Sequence, residues 1–258
     1  MNFYTKKRVA FGSLTKGKQI MKKLITYENL RSYAYSNDKL ICGDVRGIVL
    51  DFFGLGAQSM YGEDTDNGRF YAEHGIIFVV PYNNPWAWMN PQAIAYTDEI
   101  VSVLLDHYNL PESTPIVSTG GSMGGLSALV YTKYARITPV RCVANCPVCD
   151  LPYHFTERDD LPRTLYSAFW NEDGELNDIL ERFSPLHLAD TMPRISYKIF
   201  HCGSDNDVNI DRHSEKFVKA MKEASQDIEY RVVPGQDHCD LTSDEWEKFR
   251  AFVLDAVK

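Results

Sequence analysis

The sequence predicts an α/β fold, a mostly parallel central sheet with helices on both faces, and three observations carry that prediction. Short β-branched runs alternate with amphipathic segments along most of the chain. Several of the runs are apolar nearly throughout, as a strand covered on both faces requires. The glycine-rich stretch GGSMG, residues 120–124, lies between a strand pattern and a helix pattern.

The first 45 residues are polar and irregular, with strand-like pieces at KKLITYE (22–28) and RSYAYS (31–36), and read as an N-terminal extension or opening antiparallel strands. Strands are then expected at GIVLDFF (47–53), GIIFVVP (75–81), TPIVST (114–119), RCVANC (141–146), ISYKIFH (195–201) and IEYRVVP (228–234). Helical periodicity covers NPQAIAYTDEIVSVLLDHY (90–108), MGGLSALVYTKYAR (123–136), DRHSEKFVKAMKEA (211–224) and TSDEWEKFRAFVLDAV (242–257). Residues from about 150 to 193 break this rhythm and are rich in charge and aromatics; their length predicts a small helical, lid-like insertion over the strand ends. No repeat or linker divides the chain, so a single domain over 1–258 is expected.

Composition narrows the function. A net charge of −8 argues against nucleic acid and anionic membrane surfaces as partners. The basic N-terminus MNFYTKKRVAFGSLTKGKQIMKK holds no apolar stretch of signal-peptide length, and a cytoplasmic location is expected. Six cysteines without a secretory signal are expected as free thiols. The spacing C-x3-C-x2-C in CVANCPVC lacks a second half for zinc, so no metal site is expected. Cys202 and Cys239, each beside a candidate loop, are expected near one another.

Ligands of such sheets bind beyond the carboxyl ends of the strands, so the loops there should hold the chemistry. GGSMG fits G-x-S-x-G: a sharp strand-to-helix turn needs Gly120 and Gly124, because the crowded backbone leaves no room for a Cβ, and projects the Ser122 hydroxyl. An alternative is a glycine-rich helix start in which Ser122 only caps. A serine nucleophile needs a base held by a carboxylate, in the chain order serine, acid, histidine. The turn CGSDNDV supplies Asp205, preferred over Asp207 as first in the turn, and GQDHCDL after the last strand supplies His238. His201 is expected to shape the acid turn; His154, like His74, His107, His187 and His213, is expected to be structural or solvated, with substrate contact from the insertion as its alternative. Trp86 and Trp88, in the loop PYNNPWAWMNP, are expected as a pocket wall that binds substrate.

These residues resemble the α/β-hydrolase family, in particular its prolyl-oligopeptidase-like branch of esterases and peptidases. The resemblance rests on GGSMGG, on FSPLHLADTMPRISYKIFHCGSDNDV and on VVPGQDH, and covers roughly residues 45–257. It implies Ser122 as nucleophile, Asp205 as acid and His238 as base. It also implies an oxyanion hole from the backbone N–H groups of Leu55 and Met123, although Phe53-Gly54 stands where relatives carry His-Gly. Cys202 replaces the usual glycine and Asn209 the usual proline around the acid turn. The oligopeptidases carry a propeller that screens peptides, for which 258 residues leave no room on this reading.

The expected activity is therefore that of a serine hydrolase cleaving carboxylic esters of small molecules through an acyl-enzyme, with no cofactor. A small aminopeptidase or amide hydrolase with the same triad, its substrate terminus clamped by ERDD (157–160), is an alternative, as is an inactive binding protein of the same fold. A homo-oligomer is left open.

Overall fold

The computed structural model describes residues 24–258. Seven strands form one sheet: β1 (Ala34–Ser36), β2 (Gly47–Phe52), β3 (Ile76–Pro81), β4 (Ile116–Gly121), β5 (Arg141–Asn145), β6 (Ser196–Cys202) and β7 (Asp227–Val233). Their spatial order is β1-β3-β2-β4-β5-β6-β7; β1 runs antiparallel to β3 and every other pair is parallel. Helices α1 (Asp66–Glu73), α2 (Pro91–Tyr108), α3 (Met123–Tyr134), α8 (Ser214–Glu223) and α9 (Ser243–Leu254) flank the sheet. Four short helices, α4 (Leu151–His154), α5 (Leu161–Phe169), α6 (Leu176–Arg182) and α7 (Pro185–Leu188), build the segment between β5 and β6.

Strand alternation sorts the core onto the two sheet faces. Ile48 and Leu50, Cys142 and Ala144, and Tyr197 and Ile199 join the apolar side chains of α2, α3, α8 and the insertion. Val49, Val117, Val143 and Phe200 point the other way, onto Tyr71 of α1 and Phe249 and Val253 of α9. Burial on both faces is why these strands read as continuous apolar runs. The chain leaves β2 for β3 on one side and returns to β4 on the other, so the topological switch lies at the carboxyl ends of β2 and β4. Ser122 follows β4 at that point.

Helix ends follow local chemistry. Asn90 caps α2 by accepting from the Ala93 N–H, Pro91 opens it, and Asn109 closes it at φ 52°. Thr242 caps α9 through the Glu245 N–H.

Two expectations are corrected. Leu24–Glu28 form turns rather than a strand, because Asn29 accepts from the Thr26 N–H and donates to the Leu24 carbonyl, coiling the segment; Lys22, Lys23 and the rest of the basic N-terminus lie outside the described residues. Helix α1 stands in the crossover between β2 and β3, where no helix was expected. Its signal was the Thr65 side chain, which accepts from the Gly68 N–H. Among the described residues no helix is long and apolar enough to cross a membrane.

One acid lies below the switch point. Asp51 of β2 is half-buried, lines a cavity of about 180 Å³, and accepts from Thr119 Oγ1 at 2.7 Å. Burial pushes its carboxyl up to about 6 against the lowering effect of Thr119.

Candidate active site

The turn at Ser122 is forced by close packing. A Cβ on Gly124 would stand 2.0 Å from the Phe52 carbonyl oxygen, and one on Gly120 2.3 Å from the Gly124 carbonyl oxygen. Both glycines are therefore fixed by proximity of backbone. Ser122 itself sits at φ 58°, ψ −127°, outside the regions a side chain favours. Its N–H donates to the Asn145 carbonyl at 2.9 Å and its carbonyl accepts from Leu126 N–H at 3.1 Å. Although Ser122 occupies the cap position of α3, its hydroxyl caps no amide.

The acid and base loops meet as the spacing predicts. His238 Nδ1 lies 2.7 Å from Asp205 Oδ2, so the ring is protonated there and donates to the carboxylate. Asp205 Oδ1 accepts from the N–H groups of Asp207 and Val208, each at 2.9 Å, which fixes the carboxylate's plane. His201 is buried, lies 3.3 Å from Asp205 Oδ2, and holds Ser214 Oγ at 2.6 Å and the Val208 carbonyl at 3.1 Å. Asp207 contributes its backbone N–H to the turn; its exposed carboxylate lies 3.7 Å from Arg158, and both residues line the cavity that Ser122 and His238 share. Burial works to raise the Asp205 pKa, but hydrogen bonds from His201, His238 and Val208 hold the carboxyl far below the usual range. For His238 burial works downward, and the Asp205 hydrogen bond and charge prevail, keeping the imidazole above its ordinary value.

Ser122, His238, Leu55, Met123 and Trp88 all line one cavity of about 470 Å³. Among the described residues the Ser122 hydroxyl makes no hydrogen bond to His238; Nε2 of the imidazole lies 3.7 Å from Cys239 Sγ. Such contacts are often loose until substrate binds. Neither the Leu55 nor the Met123 N–H donates to a loop carbonyl among the described residues. Trp88 is fully buried, donates Nε1–H to Thr164 Oγ1 at 3.1 Å, and stacks edge-on against His154. Trp86 is 40% exposed and lines a separate groove of about 840 Å³ with Trp170, beside the cavity rather than in it. The two tryptophans, expected on one wall, thus serve different hollows: Trp88 is packed inside against Thr164 and His154, while Trp86 stays on the surface.

A second histidine–carboxylate group joins the insertion to the start of α8, and its His154 lines the same cavity. His213 Nδ1 accepts from the N–H groups of Cys149 and Asp150, both at 3.1 Å, so its proton is on Nε2 and is donated to Glu157 Oε2 at 2.9 Å. His154 Nδ1 donates to the same oxygen. Burial raises the Glu157 pKa, but the two imidazoles overcome it and bring the carboxyl to about 2. Burial also keeps His154 below its usual value despite Glu157. Ser184, from the FSPLHLAD segment, anchors the insertion by accepting from Leu151 N–H and donating to the Cys149 carbonyl. Arg158 reaches the cavity rim while paired with Asp160 at 2.9 Å.

Sequence reasoning missed Cys146 and Asn145, at the end of β5. Asn145 holds both sides of the site: its carbonyl accepts from Ser122 N–H and its Nδ2 donates to the Cys239 carbonyl at 3.0 Å. Cys202 and Cys239 do converge, but on Cys146, whose Sγ accepts from both of their N–H groups at 3.3 and 3.4 Å. Their position beyond a strand's carboxyl end was the available signal. All six cysteines are free thiols.

The sequence profile of the prolyl oligopeptidase family matches residues 98–256. The chain belongs to that family. It is a family of hydrolases with an α/β-hydrolase domain, and this chain's seven-stranded sheet has that fold. A comparison with curated proteins returns no match. Among solved structures, dipeptidyl peptidase 4 of Porphyromonas gingivalis is 14% identical with a TM-score of 0.66, over 87% of this chain and 33% of that one. The chain thus spans about a third of that peptidase's length. Thermogutta terrifontis esterase 2 is 20% identical with a TM-score of 0.59, over 86% of this chain and 88% of the esterase. An S-formylglutathione hydrolase of Agrobacterium tumefaciens is 16% identical with a TM-score of 0.63, over 83% and 86% respectively. At these identities the structural likeness speaks to fold, and the prolyl oligopeptidase profile alone carries the family assignment.

Proposed function

We propose that this member of the prolyl oligopeptidase family is a serine carboxylesterase acting on small-molecule esters. Ser122 attacks the ester carbonyl while His238 Nε2 takes its proton and Asp205 holds the ring in the required tautomer. The N–H groups of Leu55 and Met123 hold the developing oxyanion, with the amino end of α3 behind them. The imidazolium returns its proton to the departing alcohol, and water, activated by the same base, releases the acid. No cofactor takes part in these steps.

The observation that carries this reading is the 2.7 Å contact between His238 and Asp205 at the mouth of the cavity that Ser122 also lines. Ester rather than peptide substrate is favoured by the state of the acidic run: Glu157 is held by two imidazoles and Asp160 is paired with Arg158, while the exposed Asp159 does not line the cavity. The near end-to-end match with the T. terrifontis esterase points the same way.

A fluorophosphonate probe should label the wild type and not Ser122→Ala. In parallel assays, p-nitrophenyl acetate should show the larger kcat/KM against aminoacyl-p-nitroanilides. Equal labelling of both proteins would remove Ser122 from the reaction, and faster turnover of the anilides would replace the esterase reading with a peptidase one.

A further inference from the structure

Beside the base lie two thiols, Cys146 and Cys239, that ester hydrolysis does not use. A ring nitrogen of His238, Cys239 Sγ and Cys146 Sγ all lie within 4.8 Å of one another. The Nε2–Sγ(Cys239) separation of 3.7 Å is close to the roughly 3.6 Å that a tetrahedral ion with Zn–S and Zn–N bonds of about 2.3 and 2.0 Å would impose. Cys146 is buried and Cys239 half-buried.

Two further features concern the sulfurs themselves. Cys146 Sγ accepts two backbone N–H groups, from Cys202 and Cys239. Such donors stabilise charge on a thiolate and are the outer support that metal-bound sulfur uses. Both cysteines also stand in left-handed backbone, at φ 45° and 59°, a conformation that costs energy and that the surrounding structure holds in place.

We propose that Cys146, Cys239 and His238 form a binding site for a thiophilic divalent cation of the zinc type, and that its occupation switches the hydrolase off. Two Zn–S bonds and one Zn–N bond form and two thiol protons pass to solvent; the ion stays divalent and nothing is oxidised. Water or the Ser122 oxygen completes the fourth position. While the ion is bound, the Nε2 lone pair is committed to it and cannot take the Ser122 proton. This control rests on His238 being the base, whereas binding does not.

The test uses the full chain with Co²⁺ and Zn²⁺ as probes. Co²⁺ should bind one per chain and give a thiolate-to-cobalt charge-transfer band in the near ultraviolet, which Zn²⁺ displaces. Cys146→Ser and Cys239→Ser should each abolish that band and weaken Zn²⁺ binding on the order of 100-fold or more, since losing a ligand exceeds the 10–100-fold typical of its outer support. Cys239→Ser lies on a partly exposed loop and gives a second route should Cys146→Ser fold poorly. Zn²⁺ should suppress fluorophosphonate labelling of wild-type Ser122 and a chelator should restore it, with the ratio of labelling with and without Zn²⁺ returning toward one in both variants. No charge-transfer band, binding that survives both cysteine variants, or a bound ion that leaves labelling untouched would each overturn the proposal. Absent labelling in metal-free protein would instead sink the esterase reading, and the cobalt spectrum would still report on the site.

Discussion

Two imidazole–carboxylate groups face the same cavity, and they are tuned in opposite directions. In Asp205–His238 one carboxylate serves two rings from a turn that pins it with backbone N–H groups, and the outer ring keeps its second nitrogen toward the cavity. In Glu157–His154–His213 the carboxylate also serves two rings, but His213 is locked by two amides and His154 lies buried against Trp88. The pKa of His238 rises because its carboxylate outweighs burial; that of His154 falls because burial outweighs its carboxylate. Identical partners therefore shift the two imidazoles in opposite directions, decided by how deeply the ring is set.

The largest effect should come from breaking the first group. Ser122→Ala or His238→Ala should lower kcat by roughly 10⁴–10⁶-fold, and the double variant should lose little more, because the residues act as a unit. Steady-state kinetics on one chromogenic ester decides this. Asp205→Asn should cost on the order of 10⁴-fold in kcat with KM nearly unchanged, since the ring would be held in the wrong tautomer.

Breaking the second group should instead read out as stability. Glu157→Ala strands two buried N–H donors and should remove about 2–5 kcal/mol in urea titrations. Its kcat should stay within about tenfold of wild type; a loss as large as that of Asp205→Asn would place His154 in the chemistry.

Asp51 sharpens the comparison as a half-buried acid with no imidazole partner. Its folded-state pKa of about 6 exceeds the unfolded value, so the folded chain binds its proton more tightly. Stability from this group is full below about pH 4 and is lost as pH rises through 6, by about 1–3 kcal/mol. Asp51→Asn should keep the Thr119 contact and abolish that loss, seen as a smaller drop in Tm between pH 4.5 and 7 than in wild type.

Elements governed by local rules were legible in the sequence. The six parallel strands, four long helices and the elbow at Ser122 all follow from apolar period, cap residues and glycine spacing, each within a few consecutive residues. Asp205 and His238 were reachable because a loop after a strand's carboxyl end is a defined place even when its partner is distant. The Glu157 group and the part played by Cys146 were not, because their meaning depends on what burial and distant loops do to them. Nothing in HFTER or CVANC announces that one histidine will be depressed or that a cysteine will collect two amides from other loops. Helix α1 was overlooked for a different reason: its eight residues carry few apolar positions, and only its Thr65 cap marked it.

Left-handed backbone at Trp88, Ser122, Cys146 and Cys239 sets a limit on making this molecule hardier. Glycine at any of the four would relax about 1–3 kcal/mol and remove the very side chain the geometry presents. Asn109 and Ser225 share the conformation but sit after α2 and α8, where glycine would be gained at no such loss. Resistance to heat and preservation of the reaction centre are thus separable here, by position along the chain.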